Sequence, residues 1–432
     1  MPCYSLSDQH SHAKNERRQS LKILFSLQKP RSARETDPGR VPPGLRLLEN
    51  KSGLTEKKAI FLMRHIAYYI SGHGYGHAIR SIQVIRELSR QNPYLFFHIR
   101  TSAPEWFFPL NLQSNYSYYL QQNDVGTFDH DFHTVDKKAT LQRVQKLMQS
   151  SDAYIESEVS FLQSAGIELV IGDIPPLPFV AAEKAGIPSV AIGNFSWDWI
   201  YQPFTEELPE FSETIAQFRD CYARADVLLR LPMHGDMSAF QRIVNVPLIT
   251  RRARRKPDNV RKMLRIPDDG RTLLLVALRE QDVQRIELSP LISDPSLRLI
   301  LLGRQPERDG VITLPQNLMP FQELVNMADV VISKPGYGIV SECIANTTPL
   351  VYTSRPDFAE YDILVDSLKR YAVSEFVSPD DFFAGNWKKA IQKTLRRKWK
   401  KRSFPINGAE VAAGKILHIL TTSIEAVQDE LS

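Results

Sequence analysis

Short runs of apolar residues alternate with amphipathic stretches along the chain. "IAYYIS" is a continuous apolar run of strand length. Residues 78–91 follow, with Ala78, Ile82, Ile85 and Ser89 on one helical face, and then "LFFHIRT" is apolar again. The order recurs with "ELVIGD", the helix-like "FVAAEKAG", "IPSVAIGNF" and "ADVLLRLP". The second half repeats it with "RTLLLVAL", "LRLILLG", the helical "FQELVNMA", "DVVISKPG", a helix over 338–346, and "PLVYTS". Strands that are apolar throughout are covered on both faces, and strands separated by helices pair in parallel. The pattern predicts an α/β protein with two doubly wound parallel sheets. The expected N-terminal domain is 63–245 and the expected C-terminal domain 246–415, meeting at the charged, proline-bearing connector near 245–270. A last apolar-periodic stretch, "AEVAAGKILHILTTSIEAV", predicts a helix able to pack back on either half, with 416–432 as a closing helical segment.

Charge changes this picture once it is divided along the chain. The formal net charge is +5, but residues 1–60 hold 12 Lys and Arg against 6 Asp and Glu, which leaves 42 against 43 for the remainder. The basic character belongs to a polar, proline-containing leader, 1–62, whose lack of any sustained period reads as disorder. A nearly neutral body argues against generic nucleic-acid binding, which needs a contiguous basic surface. No apolar run reaches the roughly 18 residues needed to span a bilayer, so no integral membrane contact is expected. Three widely spaced cysteines, Cys3, Cys221 and Cys343, provide neither a disulfide framework nor metal-ligand spacing, and a reducing cytoplasm is the expected location.

Two glycine turns carry the candidate chemistry. "GHGYGH" follows the first strand and "PGYG" follows "DVVIS", and each opens a helix. Gly72, Gly74 and Gly76 in the first, and Gly336, Tyr337 and Gly338 in the second, therefore lie where backbone N–H groups at a positive helix end can hold a diphosphate. Neither turn is a P-loop, because the Lys-Ser/Thr pair is missing, and neither is G-x-G-x-x-G. Arg100 and Thr101 stand where a nicotinamide site would want an acidic residue, so a dehydrogenase is disfavoured.

These stretches carry a resemblance. "GHGYGHAIR", "DVGTFDHDFHTVD", "IGDIPPLPFVAAEKAGIPSVAIGNFSWDWIY", "ADVLLRLPMH", "VPLITRRARR" and "SKPGYGIVSE" resemble the GT-B glycosyltransferase fold of two Rossmann-like domains, and in particular the transferase-like N-terminal domain of L-arabinokinases, over residues 66–415. The sugar-kinase half of that family, with its Gly-Leu-Ser-Ser-Ser phosphate loop, has no counterpart in these residues, so kinase activity is not expected. More distantly, both turns are similar to those of the UDP-GlcNAc transferase of peptidoglycan synthesis. That resemblance maps a histidine near the acceptor onto His77, and a Ser-Glu pair onto Ser341 and Glu342, the glutamate facing ribose hydroxyls. It also places a sugar-contacting glutamine at Glu360, a changed residue. GT-B enzymes generally need no metal, and the implied co-substrate is a nucleotide-diphosphate sugar, UDP-linked in the leading reading, with no further cofactor.

Glycosyl transfer needs a base for the acceptor hydroxyl and positive dipoles for the departing diphosphate. His77, at a helix start, is the first candidate base and His73 the second; both could instead only bond backbone in a tight loop. Asp173 ends a strand in "VIGD", where it either serves the site or forms a turn. Asn194, Trp197 and Asp198 in "NFSWDWIY" offer polar groups beside an aromatic plane for the acceptor, although core tryptophans read as simply. Asp131, between His130 and His133, reads as an acceptor-side loop, since these ligands are too few for a metal. Lys334 stands beside the second turn to neutralise phosphate. "RRARRK", 251–256, would suit an anionic membrane surface or a diphosphate, with Arg251 or Arg252 favoured at the hinge. Two competing readings keep the fold: a nucleotide-sugar epimerase or hydrolase, and a non-catalytic nucleotide-sugar-binding protein.

Overall fold

The computed structural model describes residues 63–128, 134–303, 310–355, 357–399 and 404–431. The expected leader, 1–62, and the loop residues His130, Asp131 and His133 lie outside them. The first sheet has seven parallel strands in the order β3-β2-β1-β4-β5-β6-β7. They are β1 (Arg64–Ile70), β2 (Leu95–Thr101), β3 (Asn115–Leu120), β4 (Ile167–Asp173), β5 (Ser189–Gly193), β6 (Val227–Arg230) and β7 (Ile243–Asn245). The second sheet has six, β10-β9-β8-β11-β12-β13: β8 (Thr272–Val276), β9 (Leu297–Leu302), β10 (Val311–Leu314), β11 (Val330–Ser333), β12 (Leu350–Tyr352) and β13 (Ser374–Phe376). In both, the strand order reverses beside a central strand, the place where open parallel sheets form a crevice at the carboxyl ends of their strands. β1 sits there in the first sheet, beside β4 in register from Ile66↔Leu169 to Ile70↔Asp173.

The central strands are buried on both faces, which is why they are apolar without alternation. Helix α1 (Tyr75–Gln91) covers β1 with Ala78, Ile82, Val84, Ile85 and Leu88. Helix α2 (Tyr337–Asn346) plays the same part after β11, burying Val340, Cys343 and Ile344. Helix α3 (Tyr361–Tyr371) and the basic helix α4 (Lys388–Arg396) complete the second lobe.

The chain then returns to the first lobe. Helix α5 (Gly408–Leu431) begins before the expected boundary at 416, and its Ala412, Ala413, Ile416 and Leu420 join the core formed by Ile66, Ile82 and Ile85. Gly408 makes this crossing close, since a Cβ there would lie 2.0 Å from the Pro247 carbonyl oxygen. Backbone cannot move aside as a side chain can, so Gly408→Ala is expected to destabilise by about 1–3 kcal/mol, read by urea unfolding. An unchanged midpoint would mean that the helix start is free to shift.

Candidate functional site

The two glycine turns meet. A Cβ on Gly338 would lie 3.7 Å from the Gly76 Cα, whereas one on Gly74, Gly76 or Gly336 would project into open space. Gly74 has φ +82°, a left-handed conformation that favours glycine. Gly74 and Gly336 are the N-caps of α1 and α2, so neither helix has a side-chain cap, and neither carries an acidic residue in its first turn. Two helix starts with free N–H donors and positive dipole ends thus lie side by side.

A buried polar chain runs beneath them. His77, in the first turn of α1, places Nδ1 2.8 Å from Asp173 Oδ1, at the end of β4. Arg80, one helical turn on, donates from Nε to Asp173 Oδ2 at 2.7 Å and from Nη2 to Oδ1 at 2.5 Å, and Ser81 donates its hydroxyl to Oδ2 at 3.0 Å. Arg80 Nη1 continues to Asn194 Oδ1 at 2.7 Å, after β5, and Asn194 Nδ2 donates to Glu360 Oε1 of the second lobe. The Arg80 guanidinium also lies 5.4 Å from the Tyr337 ring centroid. Arg80 thereby reaches the opposite lobe twice, at Tyr337 directly and at Glu360 through Asn194.

Charge in this chain is arranged for one task. Burial would push the Asp173 carboxyl up, but Arg80 and His77 outweigh it and hold it at about 2. Burial raises the Glu360 carboxyl, with the Asn194 hydrogen bond and Arg80 acting against it. Arg80 Nη2 also stands 3.0 Å from His77 Nδ1, but the ionised Asp173 carboxylate is acceptor-only, and a lone pair on Nδ1 at 2.8 Å from Oδ1 would repel it. The Nδ1 proton of His77 therefore goes to Asp173, which leaves the Nε2 lone pair to accept a proton.

His73 lies elsewhere in the same turn. Its Nε2 is 3.2 Å from the Thr127 hydroxyl, its ring meets Trp197 edge-on, and Gly126 has no room for a Cβ beside it. Trp197 is 1% exposed and donates its Nε1–H to Asp124 Oδ2 at 2.8 Å, so the indole packs in the core. Asp198 is likewise buried and accepts from Arg219 at 3.2 Å; burial raises its carboxyl. In the second lobe Ser341 donates to the Tyr337 carbonyl at 2.6 Å. Glu342 accepts from Arg251 Nε at 2.6 Å, and Lys334 Nζ is 3.6 Å from Asp282. Much of the run 251–256 is engaged by the fold: Arg251 is buried on Glu342, and the backbone N–H groups of Arg254 and Arg255 go to Glu323. Among the described residues no three His, Cys, Asp or Glu side chains gather as a metal site.

The sequence brought His77, Asp173, Asn194, Tyr337 and Glu360 forward separately, and the structure joins them. Arg80, which ties them together, was missed. Its one signal was its position one helical turn after His77; it falls opposite the apolar face of Ala78, Ile82 and Ile85, where a charge reads as solvated. Asp124 was also missed. Burial raises its carboxyl, while Ser71 and Trp197 hydrogen-bond to it behind the His73 turn.

No family model matches the chain. Over 407 residues it is 29% identical to an L-arabinokinase of Arabidopsis thaliana, a match that covers 92% of this chain and 38% of that protein. The chain thus spans little more than a third of that relative's length. It is 24% identical over 275 residues to an uncharacterized glycosyltransferase of Methanopyrus kandleri, 60% of this chain and 78% of that one. Of the similar solved structures, a UDP-glucosyltransferase from Polygonum tinctorium has a TM-score of 0.54 at 13% identity, covering 83% of this chain and 99% of its own. The calicheamicin glycosyltransferase has a TM-score of 0.50 at 16% identity, covering 78% and 91%. The fold is that of the GT-B glycosyltransferases.

Proposed function

We propose that the chain is a glycosyltransferase that moves a sugar from a uridine-linked nucleotide-diphosphate donor to an acceptor hydroxyl, without a metal ion. The observation that carries this reading is the His77–Asp173 pair in the first turn of an uncapped helix, set against the glycine turn of the opposite lobe. His77 Nε2 takes the acceptor proton as the acceptor oxygen bonds to the anomeric carbon. The bond from that carbon to the diphosphate oxygen breaks, and the charge left on the diphosphate faces the start of α2 and the ammonium of Lys334. Asp173 holds the imidazole in its accepting tautomer, and Asn194 with Glu360 closes the site from both lobes. The described cysteines, Cys221 and Cys343, are free and buried, which suits a reducing cytoplasm.

The test is a thermal-shift screen with UDP, GDP, dTDP and ADP sugars, followed by turnover over an acceptor panel with a metal chelator present throughout. A ligand at about 100 times its dissociation constant adds about 2.7 kcal/mol of stability. The expected result is a shift with a UDP sugar and transfer that the chelator leaves intact. Conversion of the donor with no acceptor present would favour epimerisation or hydrolysis, and binding without turnover would favour a non-catalytic protein. No shift with any nucleotide sugar would overturn the reading.

A further inference from the structure

A second basic run, distinct from 251–256, remains on the surface after folding. Residues 388–398 contain six Lys or Arg and no Asp or Glu, and the sequence continues with Lys400, Lys401 and Arg402 outside the described residues. Helix α4 buries Ala390, Ile391 and Thr394 against its own lobe and turns Lys388, Lys389, Lys393, Leu395 and Arg396 outward. Arg397 then donates to the Ser374 carbonyl at 2.9 Å, which fixes the end of the run along β13, the edge strand of the second sheet.

The neighbouring acids take up only part of this charge. Asp294 pairs with Lys388 at 2.7 Å, and Glu375 pairs with both Lys393 and Arg397 at 2.6 and 3.0 Å. Lys389, Arg396 and Lys398 have no acidic partner among the described residues. Beside them, two large apolar side chains are left in water: Leu395 is 46% exposed and Phe376 47%. Phe376 lines an open groove with Tyr352, Lys369, Arg397 and Lys398.

We propose that this face is a docking surface for an anionic lipid bilayer. Cations around a few protruding apolar side chains are the chemistry of a helix lying in the headgroup layer. Leu395 favours a bilayer over nucleic acid, since an aliphatic side chain gains from the acyl boundary, whereas a base would gain only from the Phe376 ring. Residues 61–432 carry 42 Lys and Arg against 43 Asp and Glu with this patch included, so the body as a whole does not attract an anionic surface and the local patch sets the orientation of adsorption. Strands of a parallel sheet all end on one rim, so Phe376 at the end of β13 lies on the same rim as Ser333 before the second glycine turn, two strands and roughly 10 Å away. A docked molecule would hold its crevice close to the bilayer.

The full chain is tested by sedimentation with vesicles of two parts phosphatidylcholine to one part phosphatidylserine, and with phosphatidylcholine alone. The basic leader adds its own attraction, so the informative comparison is with the triple variant K389A/R396A/K398A, which carries the same leader. These three side chains have no acidic partner among the described residues, and circular dichroism and the urea midpoint are expected to match the parent. Each cation removed should weaken binding to the acidic vesicles by about fivefold at low salt, or on the order of a hundredfold for three. Leu395→Ser should weaken it further without changing the salt dependence. Equal binding by parent and variant, no preference for acidic over neutral vesicles, or a single-stranded RNA that competes the chain off the vesicles through the same three residues would each overturn the proposal.

Discussion

His77→Ala is expected to lower the turnover of glycosyl transfer by roughly 10²- to 10⁴-fold, with donor affinity nearly unchanged. The imidazole is held by a carboxylate that is itself held by an arginine, so its orientation precedes substrate binding. Removing the ring deletes the proton acceptor but none of the N–H groups at the starts of α1 and α2. The loss should therefore fall on kcat rather than on KM for the donor. Asp173→Asn should also lower kcat, because an amide can donate to Nδ1 and so turn the accepting lone pair away from the acceptor. His73→Ala provides the contrast. Its ring is engaged with Thr127 and Trp197, and the variant is expected to retain most of its turnover. Full activity in His77→Ala would remove the assigned base, and full activity in both histidine variants would remove general-base catalysis from this turn altogether.

Arg80→Leu is expected to be the most destabilising single change at the site, on the order of 3–5 kcal/mol by urea unfolding. The side chain is 4% exposed and supplies two hydrogen bonds to Asp173 and one to Asn194. Without it, a fully buried carboxylate keeps only His77 and Ser81 as partners, and the bridge to Glu360 loses its anchor. The same pairing determines a response to acid. The Asp173 carboxyl lies at about 2 in the folded protein against 3.8 as its ordinary value, so its contribution is complete above pH 4. It is lost as pH falls from about 4 to about 2, where the unfolded chain binds the proton first, and it amounts to about 2 kcal/mol. Arg80→Leu should abolish this part of the acid transition as well as lowering stability at neutral pH. A variant with the parent's midpoint and acid profile would show that the network carries little of the folding energy.

The nine strands read from the sequence are the inner ones, and the four passed over, β3, β7, β10 and β13, are the edges of the two sheets. The reason is solvent. An inner strand such as "LVIG" within β4 is covered on both faces and must be apolar at every position, which is visible in one dimension. "NYSYYL" and "SEF" are covered on one side only, and their mixed composition matches many loops. Charge shows the same division. The run 251–256 stood out as a string of letters, yet the fold engages Arg251 with Glu342 and caps the N–H groups of Arg254 and Arg255 with Glu323, while the run 388–398 remains on the surface.

By itself the sequence determined the two parallel sheets and the two glycine turns, because burial period and backbone freedom are local properties of the chain. It also determined that His77, Asp173, Asn194 and Glu360 were worth naming, each at the end of a strand or the start of a helix. Only the tertiary structure decided that these residues form one chain of hydrogen bonds with Arg80 at its centre. Asp173 is 93 positions from Arg80, and Glu360 is 166 from Asn194. Contacts at that separation are made by the sheet order and the approach of two lobes, which no local pattern encodes.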